Sequence, residues 1–173
     1  MEQKHTISAL VTNRSGVLTR VSGLFARRGY NIESLSVCAT EDPQFSRMTI
    51  VACADDHVLD QMVKQLDKLT DIKKITLAEE KTSIFRELLL VKLRADADVR
   101  AQIMQIATIY KAKTVDLSLQ SMVLELTGEP DKLDAFLKVA EPFGIIEMAR
   151  TGVTAIARGD VSIKDTVDYD ELI

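Results

Sequence analysis

One order of hydrophobic periodicities occurs twice along this chain, and that repetition limits the available folds more than any other feature. Lys4 to Thr12 alternates toward Ile7, Ala9 and Val11, the period-two pattern of a strand. Turn residues follow at Asn13-Arg14-Ser15-Gly16. From Val17 to Arg28 the apolar positions Val17, Leu18, Val21, Leu24 and Phe25 share one helical face. Arg27 and Arg28 suit the negative end of that helix, and Gly29 suits the residue just beyond it. Asn31 to Ala39 and Phe45 to Cys53 read as two strands separated by the Glu41-Asp42-Pro43 turn. Asp55 or Asp56 can cap a second helix carrying Val58, Leu59, Met62, Val63, Leu66 and Leu69. Asp71 to Leu77 closes the unit as a fourth strand, giving the order βαββαβ.

A charged stretch, Ala78 to Ser83, reads as a linker, and the order then repeats. Phe85 to Arg94 is an apolar strand; a helix follows with Val99, Ile103, Ile106, Ala107 and Tyr110. Strands near Thr114–Leu119 and Ser121–Thr127 join around Gln120. A helix over Asp131–Ala140 and a strand over Phe143–Ala149 complete the second set. The expected class is α+β: two tandem ferredoxin-like units, each with two helices on one face of a four-stranded antiparallel sheet. The boundaries implied are residues 1–78 for the first domain, 79–83 for the linker, 84–159 for the second domain, and 160–173 for an acidic, disordered tail with Asp165, Asp168, Asp170 and Glu171. Each unit should retain edge strands and an open sheet face, features that favour assembly.

The fold alone does not select a function, because it hosts enzymes, RNA binders and sensors. The catalytic inventory is thin. His5 and His57 are the two histidines, and neither lies in a nucleophile–base or metal-ligand spacing. The acid pairs Glu41/Asp42, Asp55/Asp56 and Glu79/Glu80 fall in turns, where capping and solvation account for them. An acylphosphatase-type enzyme remains the alternative, with Arg14 and Arg20 near a possible anion loop. Aromatic residues form 5% of the chain and its formal charge is −4, which argues against a base-stacking RNA surface or other nucleic-acid partner. No apolar run approaches a membrane span, and the first residues lack a signal-peptide pattern. Cys38 and Cys53 are therefore expected as reduced, small buried hydrophobes in the cytoplasm.

The first loop offers more. A helix starting after Gly16 leaves the N–H groups of residues 16 to 18 without intrahelical acceptors, and the helix dipole favours an anion there. Gly16 allows close backbone approach, while Asn13 and Asn31 each carry a donor and an acceptor. The same residues also fit an ordinary turn in which Ser15 caps the helix. Spacing leaves both readings open.

A family resemblance rests on longer runs. Asn13-Arg14-Ser15-Gly16-Val17-Leu18-Thr19-Arg20-Val21, Gly23-Leu24-Phe25 and Arg28-Gly29-Tyr30-Asn31-Ile32-Glu33-Ser34-Leu35 resemble the ACT domain of acetolactate synthase small regulatory subunits. Ser46-Arg47-Met48-Thr49-Ile50, Arg86-Glu87-Leu88-Leu89-Leu90, Lys132-Leu133-Asp134-Ala135-Phe136 and Ala149-Arg150-Thr151-Gly152 extend it from Ile7 to about Gly159. The resemblance implies an ACT and an ACT-like domain, a non-catalytic chain, and a homodimer formed through the N-terminal domains. It implies valine as the feedback effector, and a separate catalytic large subunit that this chain activates and that carries thiamine diphosphate, FAD and magnesium. Carried over by position, the effector site comprises Asn13, Gly16, Val17 and Leu18 of one chain, with Asn31 and Ile32 of another. Ser15 stands where many relatives have proline. No effector site is expected in the second unit.

Overall fold

The computed structural model describes residues 3–165. Its elements are β1 (Gln3–Thr12), α1 (Val17–Arg28), β2 (Ser34–Ala39), β3 (Phe45–Ala54), α2 (Asp56–Asp67) and β4 (Ile72–Ala78). The second set is β5 (Ser83–Arg94), α3 (Ala97–Tyr110), β6 (Lys113–Leu117), β7 (Ser121–Gly128), α4 (Pro130–Ala140) and β8 (Ile145–Arg150). A short strand, β9 (Thr154–Ala157), and a 3-10 turn at Ile163–Asp165 follow. The class is α+β with two βαββαβ units, as the periodicities predict. Among the described residues no helix is long and apolar enough to cross a membrane.

The first unit orders its strands β2-β3-β1-β4, with every neighbouring pair antiparallel. Ile7, Ala9 and Val11 alternate toward α1 and α2 and meet Met48, Ile50 and Ala52 of β3. Val17, Val21, Leu24 and Phe25 of α1 and Leu59, Met62, Val63 and Leu66 of α2 complete that core. Full burial of each large side chain contributes about 1.5–3 kcal/mol. Asp55 caps α2 through its carboxylate, which accepts from Val58 N–H at 2.8 Å. Gly29 ends α1 in the left-handed region at φ 70°, where a side chain would be strained.

The second unit orders its strands β6-β7-β5-β8. Leu89, Val91 and Leu93 of β5 and Met122, Leu124 and Leu126 of β7 face Ile103, Ala107, Leu133, Phe136 and Ala140. Tyr110 meets Phe136 edge to face at 5.3 Å. Arg150 bridges the buried Glu87 and the surface Asp134, and Thr151 Oγ1 accepts from Leu88 N–H. The Ala149–Gly152 run is thus a structural clasp. The edges β6 and β8 are exposed, and β6 is kinked by a register shift between Thr114 and Asp116.

Three details differ from expectation. Cys38 is exposed and Cys53 only partly buried, its Sγ donating to Glu33 Oε1 at 3.2 Å, so neither is a core residue. The first unit is discontinuous: residues 3–84 are joined by residues 153–165, and Phe85–Gly152 forms the second unit. The boundary at residue 159 expected from the sequence puts part of this segment with the second domain instead. The reason lies on the sheet face turned away from α1 and α2. Ser8, Leu10, Thr49 and Val51 point there and are buried. Val153, Ala155 and Ile163 are buried with them, Arg47 Nη1 donates to the Ala155 carbonyl at 3.0 Å, and the Ile163–Asp165 turn contacts β1 and β4. The expected open face of this unit is therefore covered by its own chain. The first part of the expected disordered tail, to Asp165, is consequently ordered; Asp168, Asp170 and Glu171 lie outside the described residues.

Candidate functional site

The loop between β1 and α1 is held by its backbone. Asn13 N–H donates to the Gln44 carbonyl at 2.7 Å, and Thr12 N–H to the Asp71 carbonyl at 2.8 Å. Gly16 is the N-cap of α1 at φ 85°, ψ −8°, and no side chain caps the helix. Ser15 therefore does not take the capping role that an ordinary turn would give it. The first α-type bond is Arg20 N–H to the Gly16 carbonyl at 3.0 Å. The amides of Gly16 and Leu18 precede it without an acceptor inside the helix, while Val17 N–H makes a long hydrogen bond, 3.5 Å, to the Arg14 carbonyl. Gly16 and Leu18 are exposed, so this positive end of the helix faces solvent.

The four sequence-predicted residues of this loop lie together, but they do not offer the same groups. Val17 is buried in the core, so only its backbone is available. Leu18 presents its side chain at the surface. Asn13, which is exposed, donates through Nδ2 to the Pro43 carbonyl at 3.0 Å, and its Oδ1 remains an acceptor. Asn13 is thus suited to an ammonium group, and the helix amides to a carboxylate.

Asn31 and Ile32 lie beyond the opposite end of α1, ahead of β2 rather than within it. A twelve-residue helix is about 18 Å long, so within one chain these residues do not reach the loop. Asn31 is exposed, whereas Ile32 is partly packed against the first unit's core. The six expected residues therefore fall into two separate groups, one at each end of α1.

A charged group that the carry-over omits borders the loop. Arg20 donates from Nε to Asp71 Oδ2 at 2.6 Å, and Thr12 Oγ1 donates to Asp71 Oδ1 at 3.1 Å. The Arg20 guanidinium beside Asp71 holds that carboxyl below its usual range, with the Thr12 hydroxyl adding to the effect. The Arg20 Nη1 atom lies 3.1 Å from where a Cβ on Gly16 would sit. The spacing of Arg20 from Gly16, one helical turn, is the sequence signal for this contact.

His57 hydrogen-bonds Gln61 one turn along α2, and His5 Nε2 contacts the Ala54 carbonyl. Among the described residues no cluster of His, Cys, Asp or Glu could hold a metal ion. A cavity in the second unit is lined only by apolar side chains, Leu93, Ile103 and Phe136 among them.

Comparison with known proteins adds the following. Residues 7–74 match the family model described as the AHAS small subunit-like ACT domain, and residues 86–159 match that of the small subunit of acetolactate synthase. The chain is 52% identical over 155 residues to the acetolactate synthase small subunit of Mycolicibacterium smegmatis, covering 90% of this chain and 91% of the relative. It is 47% identical over 157 residues to the probable acetolactate synthase small subunit of Archaeoglobus fulgidus, covering 91% and 98%. The crystal structure of the acetolactate synthase small subunit from Thermotoga maritima superposes with a TM-score of 0.85 at 37% identity, covering 92% of this chain and 99% of that one.

Proposed function

The chain belongs to the acetolactate synthase small-subunit family, and from that premise we propose that it activates a catalytic large subunit and confers feedback inhibition by valine. It acts in the cytoplasm as a homodimer paired through its N-terminal units, and it has no catalytic centre of its own. The thiamine diphosphate, FAD and magnesium of the reaction belong to the large subunit. This chain's part is to bind valine and to favour one state of the complex.

The exposed N-terminus of α1, capped by no side chain, carries this reading. The amides at residues 16 to 18 take the carboxylate of valine, an attraction of about 0.3–1 kcal/mol at an exposed helix end and up to about 2 when partly buried. Asn13 Oδ1 receives the ammonium group. Asn31 and Ile32 of a second copy close the site, Asn31 binding polar groups and Ile32 meeting the branched side chain. Regulation requires unequal affinity for two states; a tenfold shift needs about 1.4 kcal/mol of difference.

The test is calorimetric titration of valine into the purified chain, paired with valine inhibition of the assembled holoenzyme. The expected result is saturable binding at one site per chain and a matching inhibition curve. No binding to the dimer, with inhibition of the holoenzyme intact, would refute the assignment of the effector site to this chain.

A further inference from the structure

The covered face of the first sheet has an unusual composition for a surface buried within one chain. Ser36 of β2 lies opposite Thr49 of β3, Thr49 opposite Ser8 of β1, and Ser8 opposite Thr76 of β4. All four hydroxyl residues share one face, so a polar row crosses the whole sheet. Ser8 and Thr49 in this row are buried, and Ser8 Oγ has no hydrogen-bond partner. A row of hydroxyl side chains is compatible with water on this face, whereas a row of apolar side chains would lose free energy on exposure.

The segment covering that face is held by packing and hydrogen bonds: β9 pairs with β5, and Arg47 Nη1 and Arg158 Nε donate to the Ala155 and Ser83 carbonyls. Val153, Ala155 and Ile163 are its buried apolar side chains, while Ile156 and Val161 remain exposed. Ser36 Oγ donates to the Val153 carbonyl at 2.9 Å, Val153 N–H donates to Ser34 Oγ, and Arg158 N–H donates to the Thr82 carbonyl. Its far end is fastened by Lys164 Nζ to Glu41 Oε1 at 2.7 Å, an ion pair open to solvent. Exposed pairs of this kind are weak and salt-sensitive. Glu41 belongs to the turn between β2 and β3. The loop at Asn13 grips that same turn through Asn13 Nδ2 on the Pro43 carbonyl and Asn13 N–H on the Gln44 carbonyl.

We propose that residues 153–165 are a releasable strap, latched by Lys164 to the turn that Asn13 holds, so that release of the strap and the conformation of the Asn13–Gly16 loop are coupled. The turn is the shared part. Residues 40 to 45 are anchored on one side by the loop and on the other by the strap, so loosening either changes what the other holds. The hydroxyl row makes the uncovered state tolerable, because Ser8, Ser36, Thr49 and Thr76 then hydrogen-bond water. Coupling of this sort is reciprocal by thermodynamic necessity. It does not depend on valine being the ligand, and it gives any ligand of the loop a route to the strap.

Hydrogen–deuterium exchange on the full chain without effector tests both parts. The strap amides are expected to exchange at least about tenfold faster than those of β1 and β3, since they open without global unfolding. Lys164→Gln should accelerate strap exchange by roughly two- to fivefold, the scale of an exposed ion pair. The same variant should alter exchange at residues 13–17 and leave α2 unchanged. Asn13→Ala should accelerate the strap in turn, and exchanging the charges (Glu41→Lys with Lys164→Glu) should restore the original rates. Strap amides as protected as β1 and β3 would overturn the release. An effect of Lys164→Gln confined to residues 162–165, or of Asn13→Ala confined to its own loop, would overturn the coupling. A chain that binds no valine yet shows these exchange changes would sink the effector assignment and leave the strap standing.

Discussion

Replacing Gly16 separates backbone strain from ligand recognition, because alanine and aspartate share the first and differ in the second. At φ 85° any L side chain is strained, at a cost of about 1–2 kcal/mol. The new Cβ would also sit 3.1 Å from Arg20 Nη1, the far end of a half-exposed arm that can swing aside. Gly16→Ala should therefore lower the melting midpoint by roughly 2–8 °C for a chain of this size. Gly16→Asp carries the same strain, but aspartate tolerates left-handed backbone better than most residues. Its carboxylate also lies near Arg20 and the positive end of α1, which returns about 0.3–1 kcal/mol. The aspartate variant should thus melt above the alanine variant. Function should invert that order. Aspartate occupies the amides that the valine carboxylate needs, so valine inhibition should weaken by at least about tenfold, or about 1.4 kcal/mol, while activation of the large subunit persists. Alanine leaves those amides open and should keep most of the response. Thermal melts and valine inhibition curves on both holoenzymes check this; an aspartate variant as valine-sensitive as the alanine variant would refute the reasoning.

Four further outcomes follow from the structure. Ser8→Ala removes a buried hydroxyl that has no partner and should raise stability by about 1 kcal/mol; a fall in the melting midpoint would show that Ser8 is satisfied in solution. Asp71 has a lowered pKa because of Arg20, so its pairing stabilises the fold above the unfolded carboxylate value of about 3.9 and is lost as pH falls through the lower folded value. Arg20→Gln should accordingly flatten the acid limb of stability measured from about pH 5 downward. Phe136→Ala empties a fully buried site and removes the contact to Tyr110, which should cost about 3–5 kcal/mol in chemical denaturation. Mixing Gly16→Asp chains with Asn31→Ala chains should regenerate one intact two-chain site per mixed dimer; calorimetry that finds no valine binding in the mixture would refute a site shared between copies.

Much of the architecture could be read from the residues because local chemistry and tertiary packing agree. The α1 boundaries, Val17 to Arg28, follow from Gly16 and Gly29, whose backbone geometry stops the helix at both ends. The βαββαβ order follows from alternation in β1 and β3 against helical spacing in α1 and α2. The candidate loop was legible as a helix start, but its capping was not, since Ser15 satisfies the compositional rule and only backbone geometry gives the cap to Gly16. The Arg20–Asp71 pair depends on β4 lying beside β1, a contact across 51 residues that periodicity does not encode. The same holds for the strap: Val153, Ala155 and Ile163 resemble the end of a second domain by position, and the hydrogen-bond partners of Val153 and Ala155 on β2 and β3 are more than a hundred residues away.

That long return has a consequence for synthesis. A ribosome releases the strands of the first sheet early, yet the segment that covers their far face is made only after the whole of Phe85–Gly152. The first unit therefore cannot finish folding as an N-terminal domain usually does, and its sheet must wait half-dressed while the second unit emerges. An apolar face in that position would invite aggregation. The line of serine and threonine side chains across it keeps the waiting sheet wettable until the strap arrives.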